Sequence, residues 1–338
     1  MPNATAPRPV NGAPSPQPAT AAKRAPRKIN GPTKPSASCR ASIFSGRPPT
    51  PLPPKFVASV RAIEATLGHP VWLMIQSSTQ ATRLQSPPFH ELDDHTRDAF
   101  IASVRLLPPG EPITILIDSP GGSAKCAYQL ASFLRKHCGG FKVIIPDYAK
   151  SAATLLVLGA DEIVMSKHAE LGPLDVQIFD YEREDYSSAL NEVQALERLN
   201  AFALQAVDAG MMLLGGRSGK SVATLLPLMQ NFVANMLRPL FEKIDTVHYT
   251  QMSRSLKVAE EYAVRLLKRK FPKEYAEEMA RHLVHDYPDH GFYIDHAEAA
   301  TFGLKTILPT GKLENAIEEM VRNLQGVVAI GKLEEVTT

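Results

Sequence analysis

Two short segments carry residue types that together can perform acyl transfer. The first is Ser119-Pro120-Gly121-Gly122-Ser123, set between a β-rich run, Ile113–Ile117, and a helical pattern from about Ala124 to His137. Adjacent glycines let the backbone turn sharply and present bare N–H groups beside a helix N-terminus, whose dipole favours negative charge. Such donors suit an oxyanion hole, although Gly-Gly by itself reads as a tight turn. The second segment is Tyr148–Thr154 (YAKSAAT), which follows the strand-like Val143–Ile145 and opens a short apolar helix. A serine there stands at the carboxyl edge of the sheet, where open α/β folds place their sites. By itself Ser151 reads as an N-cap. The pair says more. One junction offers oxyanion donors at Gly121 and Gly122, and the next offers a nucleophile, Ser151, with the Ala152 N–H as a further donor.

These junctions need a scaffold of alternating strands and helices. Phe56, Val60, Ile63 and Leu67 share one helical face, Val71–Ile75 reads as a buried strand, and 91–107 as a helix. Ile113–Ile117, Val143–Ile145 and Glu162–Met165 alternate with helices at a spacing that indicates βαβ units and a parallel sheet. Residues 189–214 and 221–270 read as long helices, and a last element runs from Ile294 to Leu304, ending at Gly303.

In this order, Ile115–Ser123 (ILIDSPGGS), Tyr148–Thr154, Gly159–Met165 (GADEIVM) and Leu171–Gln177 (LGPLDVQ) resemble the serine dehydrogenase proteinase family. That family stands with the Clp-type proteases and signal peptide peptidase A in the ClpP/crotonase superfamily. The strong likeness covers about residues 110–180, with a weaker one at Trp72–Ser77 and His285–Leu304. It implies an α/β fold of the ClpP/crotonase type, a ββα superhelix with a mostly parallel sheet and a helical C-terminal part. It also implies a serine peptidase acting through an acyl-enzyme on peptide or protein substrates, and assembly into a homo-oligomer. Ser151 falls on the family's nucleophile and Gly121-Gly122 on its oxyanion turn. Two features depart from the pattern. The Clp-type general-base histidine falls on Gly172, with His168 nearby but elsewhere in the motif. Ala152 and Ala153 stand where relatives often carry glycine, and their methyls narrow the cleft.

A base must reach the serine hydroxyl within about 2.6–3.2 Å, directly or through one water. His285, His290 and Lys220 are the candidates, each with a surface role as its plainer reading. His285 comes first, with Lys220 as the alternative, because the segment after His285 resembles the superfamily's "EA…GL" element at Glu298-Ala299 and Gly303-Leu304. Lys150 is set aside, since side chains adjacent at a strand–helix junction diverge. The absent Clp-type histidine keeps open a catalytically inactive or scaffold member of the fold. A crotonase-like acyl-CoA enzyme is the third reading, one that leaves the Ser151 segment unexplained.

Two other patterns lead elsewhere. Gly215–Ser221 (GGRSGKS) looks like a phosphate loop but has Leu214 where the motif needs glycine, and it follows a helical pattern. The histidines and carboxylates between His282 and His296 match no familiar ligand spacing, so neither metal nor cofactor is expected.

Composition sets the outer limits. With 338 residues, 44% hydrophobic and 21% charged, the chain falls among globular proteins and is not wholly disordered. No run of about 18 apolar residues is present, so no membrane span is expected. Nor is there the apolar core of a signal peptide, and prolines oppose a transit helix. Three scattered cysteines suit a reducing, cytoplasmic compartment. The net charge of +2 conceals eight basic and no acidic residues before position 51. Residues 1–54 therefore read as a disordered, proline-rich basic tail with at most weak contact with polyanions and no specific nucleic-acid role. A ClpP/crotonase-like domain is expected over 55–312, and a C-terminal helix and tail over 313–338.

Overall fold

The structure, a computed structural model, describes residues 39–41, 52–77, 89–105, 107, 109–180 and 185–335. In chain order its elements begin with β1 (Cys39–Ala41), α1 (Pro54–Leu67), β2 (Val71–Gln76), α2 (Asp94–Val104), β3 (Ile113–Asp118) and α3 (Ala124–Cys138). Then come β4 (Phe141–Ile145), β5 (Tyr148–Ala149), α4 (Ala152–Leu158), β6 (Glu162–Met165), β7 (Glu170–Leu171), β8 (Gln177–Asp180) and β9 (Asp185–Ser188). The rest is α5 (Ala189–Ser218), α6 (Val222–Phe241), α7 (Thr246–Leu267), α8 (Lys273–His285), α9 (His296–Thr301), β10 (Thr306–Ile307), α10 (Lys312–Val321) and β11 (Val328–Glu335).

The main sheet has the order β1-β11-β2-β3-β4-β6-β10. From β2 to β10 its strands are parallel, while β11 pairs antiparallel with both β1 and β2. Successive side chains of a strand point to opposite faces, and both faces are buried here. Val71, Leu73 and Ile75 meet Phe56, Val60 and Ile63 of α1 and Ile317 and Met320 of α10. Trp72, Met74, Ile115 and Ile117 face the other way, into a core shared with α2, α3, α4, α7 and α8. The expected mixed α/β fold, with its mostly parallel sheet and helical C-terminal part, is the one present.

Local chemistry sets the element ends. Asp93 accepts the Thr96 N–H and opens α2, and Gly139, at φ 72°, closes α3 behind Arg135, Lys136 and His137. The helix expected over 221–270 divides in two. Asp245 accepts the N–H groups of Val247 and His248, so a new helix starts where the apolar pattern alone runs on.

A second, smaller ladder lies beyond the carboxyl ends of the main strands. Leu92 bridges to Gly122, Ser119 to Ala149, β5 pairs with β7, and Leu171 bridges to Ile294. The chain therefore makes a main-sheet strand, then a short ladder segment, then a helix: β3, Ser119–Gly122 and α3, followed by β4, β5 and α4. This is the ββα repeat that the resemblance implies.

Both chain ends differ from expectation. Within 1–54, Cys39–Ala41 pairs with β11 and Leu52 is buried against α1, while most of that stretch lies outside the described residues. Within 313–338, α10 is followed by a strand rather than a tail. Val328–Lys332 register against Gln76–Trp72, with Ala329 and Ile330 fully buried. Among the described residues, no helix is long and apolar enough to cross a membrane.

Candidate active site

The small ladder places the end of each ββα unit around one cavity of about 960 Å³. Gly121, Gly122, Ser151, Ala152, Asp175 and His290 all line it, with Leu92, Leu155, Leu174 and Val176 supplying apolar wall.

Ser151 leaves β5 and begins α4 with φ 51° and ψ −120°, a conformation that L-residues rarely adopt. The turn is held by the Lys150 N–H on the Ser119 carbonyl (3.0 Å) and the Ala153 N–H on the Lys150 carbonyl (2.8 Å). A non-glycine residue in such a region costs on the order of 1–3 kcal/mol. Its side chain makes no capping hydrogen bond, so the N-cap role does not account for the serine. This sharp strand-to-helix turn sets Ser151 on the wall of the cavity.

Gly121 and Gly122 are held closely. A Cβ on Gly121 would lie 2.6 Å from the Lys150 carbonyl oxygen and 2.9 Å from the Ser151 Cβ. One on Gly122 would lie 2.8 Å from both the amide and the carbonyl oxygen of Leu92. Both have positive φ, 103° and 134°. The Leu92 N–H donates to the Gly121 carbonyl (2.6 Å) and the Ser123 N–H to the Leu92 carbonyl (2.8 Å), which pins the turn from outside. Ser119 pins it from below, its hydroxyl donating to Gln76 Oε1 and accepting the Gly121 N–H. Among the described residues, the N–H groups of Gly122 and Ala152 donate to no backbone carbonyl.

His290 sits in the loop before Ile294, with Nδ1 2.7 Å from Asp175 Oδ1. Asp175 is buried, and its other oxygen accepts the Ser188 hydroxyl at 2.6 Å and the Gln177 amide at 3.3 Å. Burial raises its affinity for a proton, but the hydrogen bonds from His290 and Ser188 outweigh that and hold the carboxyl below its ordinary value. A carboxylate only accepts, so Nδ1 carries the hydrogen of this bond, and in the neutral imidazole that leaves Nε2 as the acceptor.

The other expected base residues lie elsewhere. His285 ends α8, its Nε2 3.6 Å from Glu260 Oε2 and its carbonyl accepting the Gln194 amide, and it does not line the Ser151 cavity. Lys220 is exposed between α5 and α6, and Gly215–Ser221 spans the end of one helix and the start of the next. His168 borders a separate cavity of about 280 Å³. Gly172 gives its N–H to Thr154 Oγ1 at 3.0 Å, tying the loop after β7 to α4. Sequence reasoning named His290 only among several candidates and missed Asp175, although Asp175 lies inside the Leu171–Gln177 motif.

Comparison with known proteins adds the following. A family described as ClpP-like SDH-type serine proteinase matches residues 54–246. An uncharacterized protein of Methanocaldococcus jannaschii is 30% identical over 240 residues, covering 69% of this chain and 67% of its own. A second uncharacterized protein of that organism is 33% identical over 141 residues, and the match spans 42% of this chain and less than half of that protein, 45%. Among solved structures, a variant of the 1510-N membrane-bound stomatin-specific protease in complex with a substrate peptide shares 18% identity over 36% of this chain and 55% of that one, with TM-score 0.27. Another variant of that protease shares 17% over 44% of this chain and 67% of its own, with TM-score 0.26.

Proposed function

This chain belongs to the ClpP-like SDH-type serine proteinase family, and on that premise we propose that it hydrolyses peptide bonds through an acyl-enzyme on Ser151. One observation carries the proposal: the uncapped Ser151, held at positive φ, lines the same cavity as a histidine already bonded to a buried carboxylate. His290 is the general base in this reading, replacing the expected His285 and Lys220. Its Nε2 takes the Ser151 proton as Oγ attacks the scissile carbonyl, and returns it to the leaving amine. A water activated by the same nitrogen then releases the acyl group as the acid. Asp175 holds the imidazole in the tautomer with Nε2 unprotonated and stabilises the cation that forms. The N–H groups of Gly122 and Ala152 receive the negative charge that develops on the carbonyl oxygen.

The apolar wall at Leu92, Leu155, Leu174 and Val176 supports peptide or protein segments as substrates, presented with an apolar side chain next to the scissile bond. Family membership and the exposed apolar side chains of α6 support a homo-oligomer. The free, buried Cys126 and Cys138 support a reducing, cytoplasmic setting.

A fluorophosphonate probe tests the reading. Wild-type protein should label on Ser151. Ser151→Ala should abolish labelling and peptide cleavage, and His290→Ala should slow both by about 10²–10⁴-fold. A wild-type protein that stays unlabelled at saturating probe would return the chain to the non-catalytic reading. Full labelling of His290→Ala would remove His290 as the base.

A further inference from the structure

The residue directly before the nucleophile turns away from the cavity, and its contacts have a use. Lys150 Nζ lies 3.0 Å from Glu170 Oε2 and 3.1 Å from the carbonyl oxygen of Phe292, with the carbonyls of Gly291 and Leu171 at 3.5 and 3.4 Å. An ammonium has three donors, and here they meet one carboxylate and the backbone immediately following His290. We propose that Lys150 is a positioning residue that fixes the His290 loop against the Ser151 turn, an inference that rests on His290 being the base.

Apart from the His290–Asp175 bond, the loop has few other polar restraints. At its far end the Leu171–Ile294 bridge closes with N–H···O distances of 2.9 and 3.2 Å. Between that bridge and His290, the described bonds are local ones to Asp289. Phe292 and Tyr293 are exposed, and Phe292 packs on the Tyr287 ring with centroids 4.9 Å apart. Holding the carbonyls of residues 291 and 292 therefore sets, together with the Asp175 bond, where the imidazole sits. Since Lys150 and Ser151 are consecutive, the same short turn that aims the nucleophile also aims its base.

Gly172 supplies a second, independent observation. A Cβ there would lie 2.6 Å from Lys150 Cδ and 3.5 Å from both its Cα and its Cβ. A bare backbone at 172 leaves the channel along which the lysine stem reaches the loop. The position at which the likeness to Clp-type proteases expects a histidine is thus occupied by room for Lys150. Nζ is directed at a carboxylate and at carbonyl oxygens, and among the described residues it has no bond to Ser151.

Because no peptide substrate is assigned, the experiment reads acylation of Ser151 by a fluorophosphonate, separated into the saturating rate and the half-saturating concentration. Lys150→Met keeps the stem length and removes every donor. It should lower the saturating rate by about 10–100-fold, the scale of an ångström-sized misplacement, with the half-saturating concentration little changed. Lys150→Arg restores donors but cannot serve as a base, and it should recover most of the rate. Hydrogen exchange across residues 289–293 should quicken in Lys150→Met and return toward wild type in Lys150→Arg.

A folded Lys150→Met with wild-type acylation overturns the proposal. So does a Lys150→Arg as slow as Lys150→Met, which would make the lysine itself the proton acceptor. If Lys150→Met does not fold, Gly172→Ala decides, since its methyl displaces the stem: an undiminished saturating rate overturns the proposal, and a reduced one supports it. His290→Ala keeps the two readings apart. If that variant acylates normally the base assignment falls, whereas a dead His290→Ala beside an intact Lys150→Met removes only the role given to Lys150.

Discussion

At the scale of single residues, the site is built by exclusion as much as by contact. Gly122 has no space for a Cβ, since Leu92 backbone atoms would stand 2.8 Å away. Gly122→Val should therefore displace the turn and lower turnover by about 10²–10³-fold, the effect of losing one oxyanion donor. Wild-type turnover in a folded Gly122→Val would contradict that role. Ser151 differs, because its hydroxyl contributes no cap. Ser151→Ala should leave stability within about 0.5 kcal/mol of wild type, as for a substitution that breaks no contact. Ser151→Gly should be more stable than either by about 1 kcal/mol, because glycine adopts the positive φ without strain. Urea denaturation of the three proteins checks both statements, and equal midpoints for Ala and Gly would mean the turn is unstrained. Asp118, just before the Ser119–Gly122 turn, is fully buried, and among the described residues one of its carboxyl oxygens has no partner. Burial, reinforced by the negative charge of Asp147, pushes it up to about 7. The folded state thus keeps a proton that the unfolded chain releases near pH 4, and stability falls as the pH rises from about 4 to about 7. Asp118→Asn should flatten that dependence, by at most about 1.4 kcal/mol per pH unit. Unfolding midpoints at about pH 5 and pH 8 test it, and parallel trends in the two proteins would refute the assignment.

At the scale of elements, legibility follows range. Each βα junction declares itself over a few residues, because turn glycines, capping side chains and apolar runs act on their immediate neighbours. So the turns at Gly121-Gly122 and Ser151-Ala152, which line the cavity, could be read from the sequence, whereas the Gly121 N–H expected as an oxyanion donor is instead taken by Ser119 Oγ. The His290–Asp175 bond joins residues 115 positions apart, and no local pattern connects them. The small ladder brings them together through the Leu171–Ile294 bridge, aided by the Leu174 N–H on the Leu283 carbonyl. The division between α6 and α7 went unread for a different reason: one Asp245 cap outweighs an apolar period that continues past it. Composition hides what the N-terminal stretch contributes, since basic and proline-rich sequence still supplies β1 and Leu52. Deleting residues 1–54 should accordingly lower the unfolding midpoint, with Leu52→Ala alone costing about 2–5 kcal/mol. An unchanged midpoint on deletion would show that neither contributes.

At the scale of the whole molecule, α6 carries two apolar stripes. Leu225, Met229, Val233 and Leu237 are buried, with Val207 and Met211 of α5 packed against them. Leu228, Phe232, Met236 and Leu240 recur at the same four-residue spacing and remain exposed. A stripe of this length along one helix suits a second copy of the chain, consistent with the proposed homo-oligomer. Light scattering should give more than the monomer mass, and Phe232→Glu should reduce it without moving the unfolding midpoint by more than the loss of association accounts for. A monomer mass for wild type at micromolar concentration would remove the claim.

The insertion of β11 between β1 and β2 bears on how the chain reaches its native state. Ile330 registers with Met74, so the sheet's first parallel strand finds its antiparallel neighbour about 250 positions further along, and closing so long a loop slows folding. The parallel strands can assemble through nearer helical crossovers, which leaves the outer edge of β2 bare until β11 arrives. A bare strand edge invites pairing with another chain. Refolding should therefore show a late phase in which amide protection appears together on β2 and β11, and the yield of that phase should decline as protein concentration rises.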